Sequence, residues 1–200
     1  MQQDYAFIVA PNDPPSKQAI VKAALKLFAR DGYSETNIRA IASEAGYTNP
    51  ALFKFFKSKD ALGLFLFDRC YARYYAALAA AIRPEEPFRE NLGAALGKFS
   101  EFLAENPAAL LFVQDHLREF WPKLPQEARK KSILRLIETV LEQGMREKAI
   151  SKDVSVKLLA AAFVGFLTQF ARMHSFGEFK GTPAKWKPAI EVIILRMLKD

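Results

Sequence analysis

The chain has 200 residues, with 29 Lys and Arg against 22 Asp and Glu for a formal net charge of +7, enough for one large folded domain or two small ones with a sizeable core. Its single cysteine, Cys70, excludes an internal disulfide framework and a cysteine-rich zinc site, and two histidines far apart in sequence, His116 and His174, give no support to a histidine metal site. The positive balance suits an acidic partner but does not name one.

The opening stretch, MQQDYAFIVAPNDPP, has no basic segment ahead of its short apolar piece and does not read as a signal peptide. Pro11, Pro14 and Pro15 deny it a helix, and residues 1–14 are expected to form a flexible arm. Ile20, Ala24, Leu27 and Phe28 then follow the spacing of an amphipathic helix that must stop near Gly32. Thr36 is the expected N-cap of a second helix carrying Ile38, Ile41, Ala42 and Ala45, broken at Gly46. A third short helix is predicted over 49–56, with Pro50 tolerated in its first turn. Ser58 caps a long helix that Pro84 and Pro87 end. Five further helices are predicted around Leu92–Leu103, after Asn106-Pro107, over Ile133–Leu141, from Asp153, and from Thr182-Pro183. No useful period-2 alternation occurs, so the chain is expected to be all-α with about nine helices. The longest apolar run, Leu158–Leu167, is too short to span a bilayer and reads as a buried core helix, so no membrane partner is expected.

The informative stretch is TNIRAIASEAGYTNPALFKFFKSKDAL, Thr36 to Leu62. Two short helices flank a tight turn at Gly46, which describes a helix-turn-helix; a plain αα corner has the same spacing. In the DNA-binding version the second helix enters the major groove, and small or polar residues at its start reach base edges. Here those are Thr48, Asn49 and Ala51, followed by Lys54. From Ser16 to Asp60, eight basic residues against four acidic leave a local charge of +4. Lys59 lies in the first turn of a helix, where a cation opposes the helix dipole, and a nearby phosphate would account for it.

The order Thr36, Ile41-Ala42, Ala45-Gly46, Leu52-Phe53-Lys54-Phe55-Phe56, Lys57-Ser58-Lys59 and Asp60-Ala61-Leu62 resembles the DNA-binding domain of the tetracycline-repressor (TetR) family, in register over about residues 16–65. The resemblance implies an N-terminal three-helix DNA-binding domain over 1–62 and an effector-binding and dimerisation bundle over 63–200. It implies DNA contacts from Thr36, Thr48, Asn49, Pro50, Ala51, Phe53, Lys54, Phe55 and Lys59. The family usually has tyrosines where this chain has Phe53 and Phe55; phenylalanine cannot hydrogen-bond a phosphate but can touch a thymine methyl group.

Aromatic residues recur on several later helices, and such walls can line a cavity for an apolar or aromatic effector. Phe99, Phe102, Phe112, His116, Phe120, Phe163, Phe166, Gln169 and Phe170 are the expected pocket residues. The last two helices are apolar over much of their surface, and Ala161, Gly165, Ile190 and Ile194 are the expected homodimer contacts. The expected protein is a cytoplasmic, nucleoid-associated repressor, released from a palindromic DNA operator by a small-molecule effector that shifts the long helix. It needs no metal or cofactor and is not an enzyme. A DNA-binding architectural factor without a ligand is the alternative. A helical enzyme or adaptor ranks last, because no nucleophile–base pair or phosphate loop is present.

Overall fold

Proline and glycine set the helix boundaries in the computed structural model, which describes residues 6–199. Pro15 opens α1 (Pro15–Asp31), and Gly32, at φ +90°, ends it. The other helices are α2 (Ile38–Glu44), α3 (Asn49–Phe53), α4 (Lys59–Ala81), α5 (Phe88–Glu105), α6 (Pro107–Phe120), α7 (Gln126–Lys130), α8 (Ile133–Arg146), α9 (Val156–Ser175) and α10 (Pro183–Lys199). The described residues contain no strand. The five-residue α7 is the helix that the sequence reading omits; it lies between the turns at Pro122 and Pro125 and Ser132.

The chain divides into two compact units, Met1–Arg73 with Ala108–Lys130, and Tyr74–Pro107 with Lys131–Asp200. The sequence suggests a cut at residue 62. Helix α4 runs unbroken past that point, and the residues of α6 from Ala108 onward belong with the N-terminal helices.

In the first unit α1, α2 and α3 pack on one another around Ile20, Leu25, Leu27, Phe28, Ile41 and Leu52. Residues 1–5 of the expected flexible arm lie outside the described residues. The remainder is tied down: Ala6–Ile8 form a 3-10 turn, Ile8 is fully buried, and Asp13 accepts from the backbone of Ala10 at 2.8 Å and from Lys17 at 2.7 Å. An isoleucine removed from water holds this segment where prolines alone would leave it free.

In the second unit α5 packs against α10 and α8, and α9 packs against α8 and α10. The turn between α4 and α5 is held by Asn91, whose amide nitrogen donates to the carbonyls of Arg83 and Glu86 and to Gln143, at 2.8, 3.1 and 2.9 Å. Helix α9 is long and apolar enough to cross a membrane by length and composition, yet Leu159, Ala160, Phe163, Leu167, Phe170 and Ala171 are buried within this unit.

Candidate nucleic-acid interface

The turn from α2 to α3 is closed by backbone bonds. Gly46, at φ +73°, donates to the Ser43 carbonyl at 3.0 Å, and Tyr47 donates to the Ala42 carbonyl at 2.9 Å. That pairing is a Schellman motif, and only a residue at ease with a left-handed backbone fits its centre. It seats α3 against α2 and α1 through the buried Leu52.

The outer side of α3 is left open. Thr48 is the N-cap, but its side chain makes no cap hydrogen bond. Thr48, Pro50 and Lys54 are exposed, while Asn49, Ala51 and Phe55 are half-buried. Phe53 is 50% exposed, a ring that the fold leaves in solvent. Among the described residues Lys54 makes no ion pair, nor do Lys22, Arg39 and Lys57, which are also exposed and which the sequence enters only in the local charge and the family pattern. By contrast, Lys26 pairs with Glu44 and Arg30 with Asp31, and each partner holds its carboxyl below the usual range. Phe56 turns inward against Phe65, with ring centroids 5.3 Å apart.

Two of the expected DNA contacts make hydrogen bonds within the protein. Thr36 is only 3% exposed, and its hydroxyl donates to the Gly32 carbonyl at 2.8 Å. It is not the cap of α2 either; Asn37 is, accepting from the Ala40 backbone at 2.9 Å. The Lys59 ammonium turns back to the loop before α2. It donates to the carbonyls of Tyr33, Ser34 and Thr36 at 2.8, 3.3 and 3.0 Å, and lies 4.5 Å from the Tyr33 ring centre. Those oxygens supply the negative partner that the sequence reading sought in a phosphate.

Residues 20–64 match the family model "Bacterial regulatory proteins, tetR family". Over 174 residues the chain is 23% identical to the "Fatty acid metabolism regulator protein" of Bacillus subtilis, covering 86% of this chain and 84% of that one. Residues 20–64 form a DNA-binding domain of the TetR family. Another relative is the "HTH-type transcriptional repressor KstR2" of Mycolicibacterium smegmatis, 28% identical over 159 residues, or 74% of this chain and 75% of the relative. The fold also matches FadR of Bacillus subtilis "in complex with stearoyl-CoA", with a TM-score of 0.70 at 17% identity over 90% of this chain and 97% of that one.

The residues expected to line one effector pocket fall into both compact units. Phe112, His116 and Phe120 pack with the DNA-binding helices: Phe112 stacks on Phe28 at 5.6 Å, while His116 and Phe120 lie 5.2 and 5.5 Å from Tyr33. Phe99, Phe102, Phe163, Phe166, Gln169 and Phe170 belong to the other unit, where Phe99 and Phe170 meet at 6.2 Å and Gln169 is exposed.

The expected dimer contacts also divide. Ala161 and Gly165 lie on an exposed stripe of α9 that continues to Leu158, 63% exposed. Ile190 and Ile194 are buried within their own subunit, in the helix that packs on α5. The exposed apolar side of α10 is instead formed by Val192 and Ile193, at 48% and 47%. A spacing of four residues identifies a buried face but not its partner, and it assigned these two isoleucines to the wrong one.

Proposed function

We propose that the protein is a homodimeric repressor that reads a palindromic operator with α3 and is released by an apolar acyl thioester. The observation that carries the DNA reading is the exposed side of α3. On and beside a helix fixed by its turn and its core contacts, Thr48, Pro50, Phe53 and Lys54 are exposed and Asn49, Ala51 and Phe55 half-exposed. Base edges would be met by Thr48, Asn49 and Phe53; Lys54, Lys57, Arg39 and Lys22 supply unpaired charge for phosphates. Two such helices in a two-fold dimer would sit about one helical turn of DNA apart. The uncovered stripes around Leu158, Ala161 and Gly165 on α9 and Val192 and Ile193 on α10 are the surfaces that a partner copy would bury.

The effector class follows from two considerations. The second unit is walled by buried phenylalanines such as Phe99, Phe102, Phe163 and Phe170, which favour an apolar ligand. One Bacillus subtilis relative is named as a fatty acid metabolism regulator, and the matching FadR structure is of a complex with stearoyl-CoA. Repression, operator release and a cytoplasmic, DNA-associated location are parts of the same reading.

The test is selection of duplexes from random-sequence DNA by the purified protein, then displacement of the best duplex by acyl-CoA thioesters of graded chain length. A palindromic consensus, and release that strengthens with chain length, are the expected results. Binding without a consensus would sink the operator reading, and a consensus complex untouched by every thioester would sink the effector class.

A further inference from the structure

We infer that Lys59 is a positioning residue for DNA recognition and not a phosphate contact: it fixes the backbone from which α2 departs, and through α2 the seat of α3. This inference rests on the DNA-binding reading above. A lysine ammonium has three N–H donors and no acceptor. Lys59 places donors on three loop carbonyls, those of Tyr33, Ser34 and Thr36, over the face of the Tyr33 ring. To reach a phosphate it would have to give up those bonds and leave the carbonyls without their charged donor.

The bonded carbonyls lie in the connection between α1 and α2, and Thr36 immediately precedes Asn37, the cap of α2. A second grip acts on the same loop, since the Tyr33 hydroxyl donates to Oδ1 of Asp60 at 2.6 Å. The Thr36 hydroxyl, bonded to the Gly32 carbonyl, braces the loop from the α1 side. Residues 59 and 60 of α4 therefore hold the start of α2 by backbone and side chain together. The Schellman turn at Gly46 passes any displacement of α2 on to α3. Base-edge hydrogen bonds depend on the placement of α3, whereas flexible lysines on phosphates tolerate a small shift.

The experiment compares wild type, Lys59→Met and Lys59→Arg on two duplexes, one recovered from random-sequence DNA by the wild-type protein and one of the same composition in shuffled order. If Lys59 positions α3, K59M binds the recovered duplex about tenfold more weakly, while its binding to the shuffled duplex and its salt slope stay as in wild type. K59R behaves like K59M, because a planar guanidinium cannot gather three diverging carbonyls as an ammonium does. An equal loss on both duplexes, with a salt slope shallower by about one and rescue by K59R, would reveal a phosphate contact and overturn the inference. A lower melting temperature with unchanged affinity for both duplexes would also overturn it, leaving a lysine that only stabilises. If K59M does not fold, K59R and Asp60→Asn carry the same comparison on the two duplexes. A wild-type protein that recovers no preferred sequence refutes the DNA reading, and the inference with it, before any variant is made.

Discussion

Phe28 of α1 and Phe112 of α6 stack with ring centroids 5.6 Å apart and planes 13° from parallel, although 84 positions separate them in the chain. His116 lies against the same group, 4.8 Å from Phe112 and 5.2 Å from Tyr33. Burial holds its pKa below the ordinary 6.5, outweighing the upward pull of Asp115 and of Glu119, whose carboxylate stands 3.9 Å from Nδ1. An unfolded chain therefore binds a proton at His116 more readily than the folded one. Its contribution to stability is present above 6.5 and is lost as pH falls from there toward the depressed folded value. Urea midpoints measured at about pH 7.5 and about pH 5.5 should fall between the two in wild type, and fall less in His116→Phe.

The Tyr33–Asp60 bond makes the opposite prediction at alkaline pH. Burial foremost, then the bond to Asp60, pushes the Tyr33 hydroxyl well above its ordinary 10.0. Below that value the group is protonated in both states and adds no pH dependence; above it, only the unfolded chain ionises and stability falls. Ultraviolet titration should show tyrosine ionisation that appears only on unfolding, and Tyr33→Phe should reduce that late step by one group. The substitution should cost about 0.5–1.5 kcal/mol in denaturant melts, the net worth of one hydrogen bond.

Three glycines inside helices should answer differently to alanine. At Gly63 a Cβ would lie 2.7 Å from Cζ of the buried Phe120 and 2.8 Å from Cε2 of Tyr33, so overpacking at a cost of about 1–3 kcal/mol should exceed the roughly 1 kcal/mol gained in helix propensity. At Gly93 a Cβ meets nothing within 4 Å, and Gly93→Ala should raise stability by about 0.5–1 kcal/mol. Gly165 is equally open within the subunit. If its stripe is the dimer contact, Gly165→Ala should weaken self-association in sedimentation runs; unchanged association would place the contact elsewhere.

Phe53 should read a methyl group. Replacing the thymines of the selected operator one at a time with deoxyuridine should reveal a position where wild type loses affinity and Phe53→Ala does not. Phe53→Tyr should bind more tightly and show a steeper salt dependence if its hydroxyl reaches the backbone. Equal sensitivity of wild type and F53A to every replacement would exclude the contact.

Much of the architecture is legible in the chain, because helical spacing and breaker residues act locally. Gly32 and Gly46 end helices where their positive φ is needed, and Ser58 caps α4 by accepting from the Ala61 backbone at 3.0 Å. The open side of α3 is legible too, since Thr48, Asn49 and Lys54 fall between core positions. The errors share one cause. Periodicity shows that Ile190, Ile194, Phe112 and Phe120 are buried but does not show what covers them, because the covering helix is distant in sequence. The bonds of Lys59 are hidden for the same reason: its carbonyl partners lie 23 to 26 positions earlier, and backbone oxygens leave no trace in the side-chain pattern.

The grouping of Ala108–Lys130 with Met1–Arg73 bears on how such regulators are recombined. Grafting residues 1–62 onto another effector domain would strip Phe28 and Tyr33 of Phe112, His116 and Phe120, leaving the hybrid with a bare aromatic wall. A chimera that keeps the operator preference of this protein has to carry the stretch from Ala108 to Phe120 as well, as a second insert from the same parent.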